Sequence, residues 1–313
     1  MIKILYLLAS ISSILSINIT TTTTTTTIKQ GAAVLVETRY TPALLFVLDR
    51  AKIFVPHHWD IVLITNQRVA QEYKAAAGTF QLPTNDRKRN ITIKILIPDT
   101  LDRNGYNALI KSRRLYDHDL LHYEWLIFFQ TDTTFCRPFN LKDVIHQQQN
   151  QDLPQIAYIG SVWDSTLVSS SNGFACATLR DKSLKRAYIH VGNGGFSLRN
   201  RKVMIDVIDR WYSMSGHLPF NEDVWFACGA HYFGSLANVS TANSFSIESV
   251  PYLLDTKIYG VHKPWKYQSD VNLKRLVKAC PSLRGLMQVN GIDRLVDKVP
   301  KVEVEGVDHN FDL

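Results

Sequence analysis

The block Trp125-Leu126-Ile127-Phe128-Phe129 constrains the fold more than any other stretch, because its apolar residues run without alternation and stop at Gln130-Thr131-Asp132-Thr133. A short continuous apolar run suits a strand covered on both faces, the environment of a parallel sheet. Such a strand delivers its next polar residues to the carboxyl edge of the sheet, where open α/β folds bind their ligands. Asp132 then has two readings. It is either a turn or helix-cap residue, or a carboxylate that holds a divalent metal against a diphosphate.

From Ala32 onward the text alternates strand-like and helix-like patterns. Strands are expected at Ala33–Thr38, Asp60–Thr65, Ile91–Ile97 and Trp125–Phe129. Helices are expected from Pro42 through Val55, with Leu44, Leu45, Leu48 and Ala51 on one face, and from Tyr106 to Tyr116. This rhythm with right-handed crossovers predicts an α/β fold with a mostly parallel central sheet and helices on both faces. The second half is more irregular. Short strands are expected at Ile156–Gly160, Tyr188–Val191 and Phe196–Leu198, around a polar loop at Asp164–Asn172. Amphipathic helices follow at Lys202–Met214, with Val203, Val207 and Trp211 inward, and at Glu222–Phe233, capped by Asn221. Beyond Lys266 the pattern is basic and helical, then polar.

The 313 residues give ample material for a core. Residues 1–17 read as a signal peptide or a short signal-anchor, since the uncharged run from Ile4 to Ile17 is shorter than a comfortable bilayer span of about 20 residues. Residues 18–31 hold the threonine tract Thr20–Thr27 and read as a disordered stalk. Sequons at Asn18, Asn90 and Asn238 are compatible with a secretory lumen. A catalytic domain is expected over 32–275 and a helical, then polar, tail over 276–313. The net charge is +7, but the basic residues are scattered along the chain, with only short runs such as Arg87-Lys88-Arg89 and Arg113-Arg114. That argues against nucleic-acid binding. Cys136, Cys176, Cys228 and Cys280 match no zinc spacing; they are either one or two disulfides or buried thiols.

Three further segments could carry chemistry. Gly192-Asn193-Gly194-Gly195-Phe196 is either a tight hairpin turn or a stretch of bare backbone facing a sugar or phosphate. Asn221-Glu222-Asp223-Val224 is either a helix cap with acidic residues complementing the dipole, or a general base placed over an acceptor hydroxyl. His262-Lys263-Pro264-Trp265 is either a surface loop or a rigid segment with a nitrogen ligand for Mn²⁺ and a point charge for phosphate.

Taken in order, these segments resemble GT-A-type glycosyltransferases. More closely, they resemble a domain-of-unknown-function family of glycosyltransferase-like proteins from microbes and lower eukaryotes. The matching segments are Val34–Arg39, Phe129–Thr133 with Cys136, Tyr158–Gly160, Gly192–Arg199, Asn221–Phe226 and His262–Trp265, together spanning roughly residues 32 to 266. Lys111, Asp132 and His262-Lys263-Pro264-Trp265 are similar to glycogenin-like enzymes, although here the His adjoins the Lys. Glu222-Asp223-Val224 is similar to β-1,3-galactosyltransferase-like enzymes. Those two groups differ in stereochemistry, so inversion and retention both stay open.

The resemblance implies a GT-A-like (Rossmann-like) fold and transfer of a sugar from a nucleotide-sugar donor to a glycan, protein or lipid acceptor. It implies a Golgi or ER lumenal, or secreted, location, with membrane contact only through an N-terminal anchor. Donor contacts fall on Glu37, Thr38, Lys111, Gln130, Asp132, Asn193, Gly194, Gly195 and Lys263. Mn²⁺ or another divalent cation would sit on Asp132 and His262, and the catalytic carboxylates would be Glu222 and Asp223. Gln130 departs from the general pattern, which has an Asp there, and brings no charge. A non-catalytic carbohydrate- or nucleotide-sugar-binding protein is the alternative on this scaffold. A secreted interaction protein, with these motifs scattered over its surface, is the third.

Overall fold

The computed structural model describes residues 28–79, 89–145, 156–164, 175–176, 187–215, 221–252 and 256–292. The leader, residues 18–27 of the stalk, most of the polar loop at 164–172 and the end of the tail lie outside the described residues; Lys29–Gly31, expected in the disordered stalk, instead open the first strand and pair with the central one.

The first half follows the expected alternation: β1 (Lys29–Val36), α1 (Pro42–Phe54), β2 (Asp60–Thr65), α2 (Gln67–Thr79), β3 (Ile91–Ile95), α3 (Arg103–Ile110) and β4 (Tyr123–Phe129). Helix α1 starts where Thr41 Oγ1 accepts from Leu44 N–H and Pro42 occupies the first turn, the favoured chemistry for that end. Helix α3 begins earlier than expected because Asp102 caps it by accepting from Gly105 N–H. It stops at Ile110, and a separate π turn covers Leu115–Asp119. Helix α2 carried no expectation.

Next come β5 (Thr133–Phe135), α4 (Leu141–Ile145), β6 (Tyr158–Ile159), β7 (Ser161–Val162), β8 (Ala175–Cys176), β9 (Ala187–Tyr188), β10 (Val191–Gly192), β11 (Phe196–Asn200), α5 (Arg201–Ser215) and α6 (Glu222–Tyr232). The chain then forms α7 (Val239–Phe245), β12 (Ser246–Ile247), β13 (Gly260–His262), α8 (Asp270–Ala279) and α9 (Ser282–Val289).

The central sheet has the order β3-β2-β1-β4-β11-β6. Strands β3, β2, β1 and β4 pair in parallel, as expected, but β11 is antiparallel to both β4 and β6. The sheet as a whole is therefore mixed rather than mostly parallel. The glycine segment causes this: it leaves the chain beside the carboxyl end of β4, with Phe196 opposite Phe129, so β11 can only run back down. For the same reason the segment is not a hairpin, since β10 pairs with β7 in a separate sheet.

Alternate residues of the strands face opposite sides of the sheet. Ala33, Leu35, Leu63, Ile127, Phe129 and Leu198 pack with Leu44, Val47 and Leu48 of α1 and with Leu276, Leu283 and Leu286 of the C-terminal helices. Ala32, Val34, Val62, Leu126 and Phe128 pack with Ile110, Met204, Val207, Trp211 and Phe226. Helices thus cover both faces.

The four cysteines form Cys136–Cys280 and Cys176–Cys228, so the two-disulfide reading is the one observed. The first bridge ties β5 to the α8–α9 pair, and Ser282 Oγ adds a hydrogen bond to Phe135 O. Helix α8 runs through position 275. No helix among the described residues is long and apolar enough to cross a membrane.

Candidate active site

The neighbouring carboxyl ends of β1 and β4 build the floor of the site. Glu37 follows β1 and is buried. Its carboxylate accepts from Thr38 N–H, from Arg39 through its backbone N–H and both sides of its guanidinium, and from Thr131 Oγ1. Glu37 is thereby committed to shaping the loop, and Arg39, which is largely exposed, is what it presents outward. The Thr38 carbonyl is held by Asn66 Nδ2. Gln130 is turned sideways, its Nε2 donating to the Tyr106 hydroxyl, while its backbone N–H donates to Gly195 O. Thr133 Oγ1 also donates to Gly195 O, at 2.7 Å. The strand end after β4 and the glycine turn are therefore stitched together.

A second, three-stranded sheet of order β12-β13-β5 carries the charged residues. His262 of β13 lies opposite Thr133 of β5, which brings it beside Asp132. His262 Nε2 is 3.2 Å from Asp132 Oδ1, and on the other side of the ring Nδ1 is 3.0 Å from Glu248 Oε1. Lys263 N–H donates to Asp132 O, and Lys263 Nζ is 3.7 Å from Asp132 Oδ2. Lys263 sits at φ +28°, a conformation that non-glycine residues keep only where their surroundings impose it. Burial would raise the Asp132 carboxyl, but the charges of His262 and Lys263 override it and hold the group well below the usual carboxylate range. Burial alone would lower the His262 imidazole, yet Asp132 and Glu248 push it up to about 9.

The glycine turn joins this charged cluster to the start of α6. A Cβ on Gly195 would meet His262 Nε2 at 2.3 Å, and one on Gly194 would meet Glu222 Oε1 at 1.9 Å. Both positions need glycine because side chains close on the backbone from either side. Asn193, at φ +78°, shapes the turn: its Oδ1 accepts from Gly195 N–H and its Nδ2 donates to Ser161 Oγ.

Glu222 and Asp223 are adjacent but differently housed. Glu222 is buried, with Oε2 3.0 Å from the guanidinium of fully buried Arg199. Burial pushes its carboxyl up to about 7, against the pull of Arg199. Asp223 is partly exposed; it accepts from Val224 N–H and, at 3.3 Å, from Gly194 N–H. Its carboxyl is also raised, by burial and by the nearby charge of Glu248, against those two donors. Asn221 makes no side-chain cap bond, contrary to expectation; Asn107 Oδ1, on α3, accepts from Glu222 N–H instead. Lys111, the C-cap of α3, is half-buried and lowered by desolvation, with the charge of Glu222 opposing.

Among the described residues no group of three or more His, Cys, Asp or Glu could hold a metal by itself. Asp132 Oδ1 and His262 Nε2 are nevertheless buried without a hydrogen-bond partner. They face each other at 3.2 Å, and with the ring proton given up, the carboxylate oxygen and the imidazole nitrogen suit a cation, with a bound diphosphate and water completing its shell. The residues fit such a site as a pair, not as a full protein cage.

The segments singled out in sequence therefore come together beside the glycine turn, Asp132 against His262, His262 against Gly195 and Glu222 against Gly194, and a scatter over the surface is not what is found. Glu248, Arg199, Tyr106 and Arg39 were given no role in the sequence reading. Arg39 and Arg199 ended matching segments without being assigned, and nothing in the sequence distinguished Glu248.

Residues 90–262 match the family described as "Protein of unknown function (DUF5672)". No curated protein matches the sequence. Among solved structures, the apo form of mouse xyloside xylosyltransferase 1 matches with a TM-score of 0.45 at 9% identity, over 77% of this chain and 99% of that one. A score that low supports no inference about this chain.

Proposed function

The chain belongs to this DUF5672 family, and we propose that it is a glycosyltransferase that moves a sugar from a nucleoside-diphosphate donor to an acceptor hydroxyl. The observation that carries the proposal is the pair Asp132 Oδ1 and His262 Nε2, 3.2 Å apart, buried and without hydrogen-bond partners. That pair lies at the carboxyl edge of the sheet, beside a turn of bare backbone.

In this reading Asp132 and His262 hold a divalent cation such as Mn²⁺, which when bound neutralises charge developing on the departing diphosphate. Lys263 adds a further positive charge beside Asp132. Gly194 and Gly195 leave room for Glu222 and His262 to close on the turn, and Asn193 fixes its conformation. Asp223 takes the proton of the acceptor hydroxyl. Its support is partial exposure and a raised carboxyl, which moves a base toward working pH. Glu222, closed in against Arg199, supports the turn rather than touching substrate. Glu37 shapes the loop that presents Arg39 and Thr38 toward the donor. Two disulfides are in keeping with an oxidising, secretory compartment.

The test is release of nucleoside diphosphate by purified protein with Mn²⁺ and a panel of sugar nucleotides, alongside Asp132→Ala. Turnover of at least one donor is expected, lost in the variant while its circular dichroism at low temperature shows that it still folds. Full activity in Asp132→Ala removes the metal assignment. Binding of a donor with no turnover points to the second reading, a non-catalytic nucleotide-sugar-binding protein. Gln130 favours that reading, since it stands where the resemblance expects a carboxylate and its amide is engaged by Tyr106.

A further inference from the structure

The ring of His262 has a carboxylate beside each nitrogen, Asp132 at Nε2 and Glu248 at Nδ1. The place of Glu248 is built into the fold. Strand β12 pairs in parallel with β13, with Ile247 beside Val261, so the next step of that register sets Glu248 alongside His262. Its carbonyl accepts from Gln268 Nε2, which also donates to Val250 O. Ser249 Oγ bridges Val162 O and Asp164 N–H. The segment is therefore fixed on both flanks, and the Glu248 side chain is buried.

An imidazole offers a metal only the nitrogen that carries no proton, and which nitrogen that is depends on what the other one meets. An ionised carboxylate can only accept, so Glu248 beside Nδ1 selects the tautomer with the proton there. We propose that Glu248 is a positioning residue: it takes the Nδ1–H of His262 and so aims the Nε2 lone pair, together with Asp132 Oδ1, at one divalent cation. This rests on the metal-assisted reading above. The 3.0 Å separation is within hydrogen-bond reach, without the alignment of a hydrogen bond.

The experiment compares wild type, Glu248→Gln, Glu248→Asp and His262→Ala for binding of Mn²⁺ alone, read by the electron paramagnetic resonance of free Mn²⁺. His262 is followed by imidazole ¹⁵N spectra with Mg²⁺. Glu248→Gln is expected to weaken Mn²⁺ binding 10- to 100-fold, about the usual cost of losing such a partner, with partial recovery in Glu248→Asp. The wild-type ring is expected to keep Nδ1–H when metal is bound. Mn²⁺ binding by Glu248→Gln as tight as wild type, with His262→Ala losing it, overturns the role of Glu248 and leaves the metal reading standing. An Nε2–H ring in metal-loaded wild type overturns it even if the variants misfold. Failure of wild type to bind Mn²⁺, both alone and with inorganic pyrophosphate, sinks both.

Discussion

Replacing Arg199 by Met removes the charge that makes buried Glu222 tolerable. The guanidinium is 3.0 Å from Glu222 Oε2 and stacks over Phe128, Tyr158 and Phe226 at 4.5, 5.3 and 5.1 Å. Neither charged side chain has appreciable contact with solvent. Removing one member of a buried pair costs about 3–5 kcal/mol, and about 1 kcal/mol shifts the midpoint of a domain this size by about 2–4 °C. Arg199→Met is therefore expected to melt about 10 °C lower at pH 8.

The pH dependence has a definite sign. Glu222 is raised from 4.5 to about 7, so the native state binds its proton more tightly than the unfolded chain does. That contribution is present below 4.5 and is lost by about 1.4 kcal/mol per pH unit as pH rises to about 7. Without Arg199 the carboxyl rises further, and the loss continues beyond that window. Thermal melts followed by circular dichroism at pH 5 and pH 8 should show the smaller deficit at pH 5. Arg199→Met combined with Glu222→Gln should recover several kcal/mol at pH 8, because no uncompensated charge remains. A single variant within about 2 °C of wild type at pH 8, or a double variant no better than the single one, refutes the argument.

Asp223→Asn should lower metal-dependent donor turnover by about 10²–10⁴-fold, the usual contribution of a general base, with the melt unchanged; an equal loss of stability would instead make Asp223 a cap. Gly195→Ala should abolish Mn²⁺ binding, since its Cβ would take space 2.3 Å from His262 Nε2; Mn²⁺ titration of the folded variant checks this. Cys136 and Cys280 are 144 residues apart, whereas Cys176 and Cys228 are 52 apart. Chain entropy then makes the first bridge worth about 1 kcal/mol more than the second, and melts of the two Cys→Ser pairs compare them directly.

Local pattern carried the first half of the fold. Thr41-Pro42 marked the start of α1, and the strand at Asp60–Thr65 was legible to the residue. Of the later strands, β6 and β11 fall where strands were expected, but β12 and β13 were not legible, because two- and three-residue strands have no periodicity to read. Arg199 illustrates a different failure. In Phe196-Ser197-Leu198-Arg199-Asn200 the alternation reads as one apolar and one wet face. The second face is in fact roofed by α6, and the arginine is kept there by Glu222.

The site depends on how closely two side chains can approach one turn of backbone. Glu222 closes on Gly194 and His262 on Gly195, so a single peptide bond separates the residue under the acidic helix start from the residue under the histidine. That closeness explains why glycine occupies both positions. It also explains why sequence alone could name the parts without ordering them: Glu222 and His262 are joined through neighbours of a turn, not through their own spacing. If the turn is the spacer, Gly194→Ala should disturb Glu222 and Arg199 first, and Gly195→Ala should disturb His262 and Asp132 first. A stability loss confined to the former, with a Mn²⁺-binding loss confined to the latter, would show that the two halves are held apart by this turn. Identical effects of both substitutions would mean that they are not.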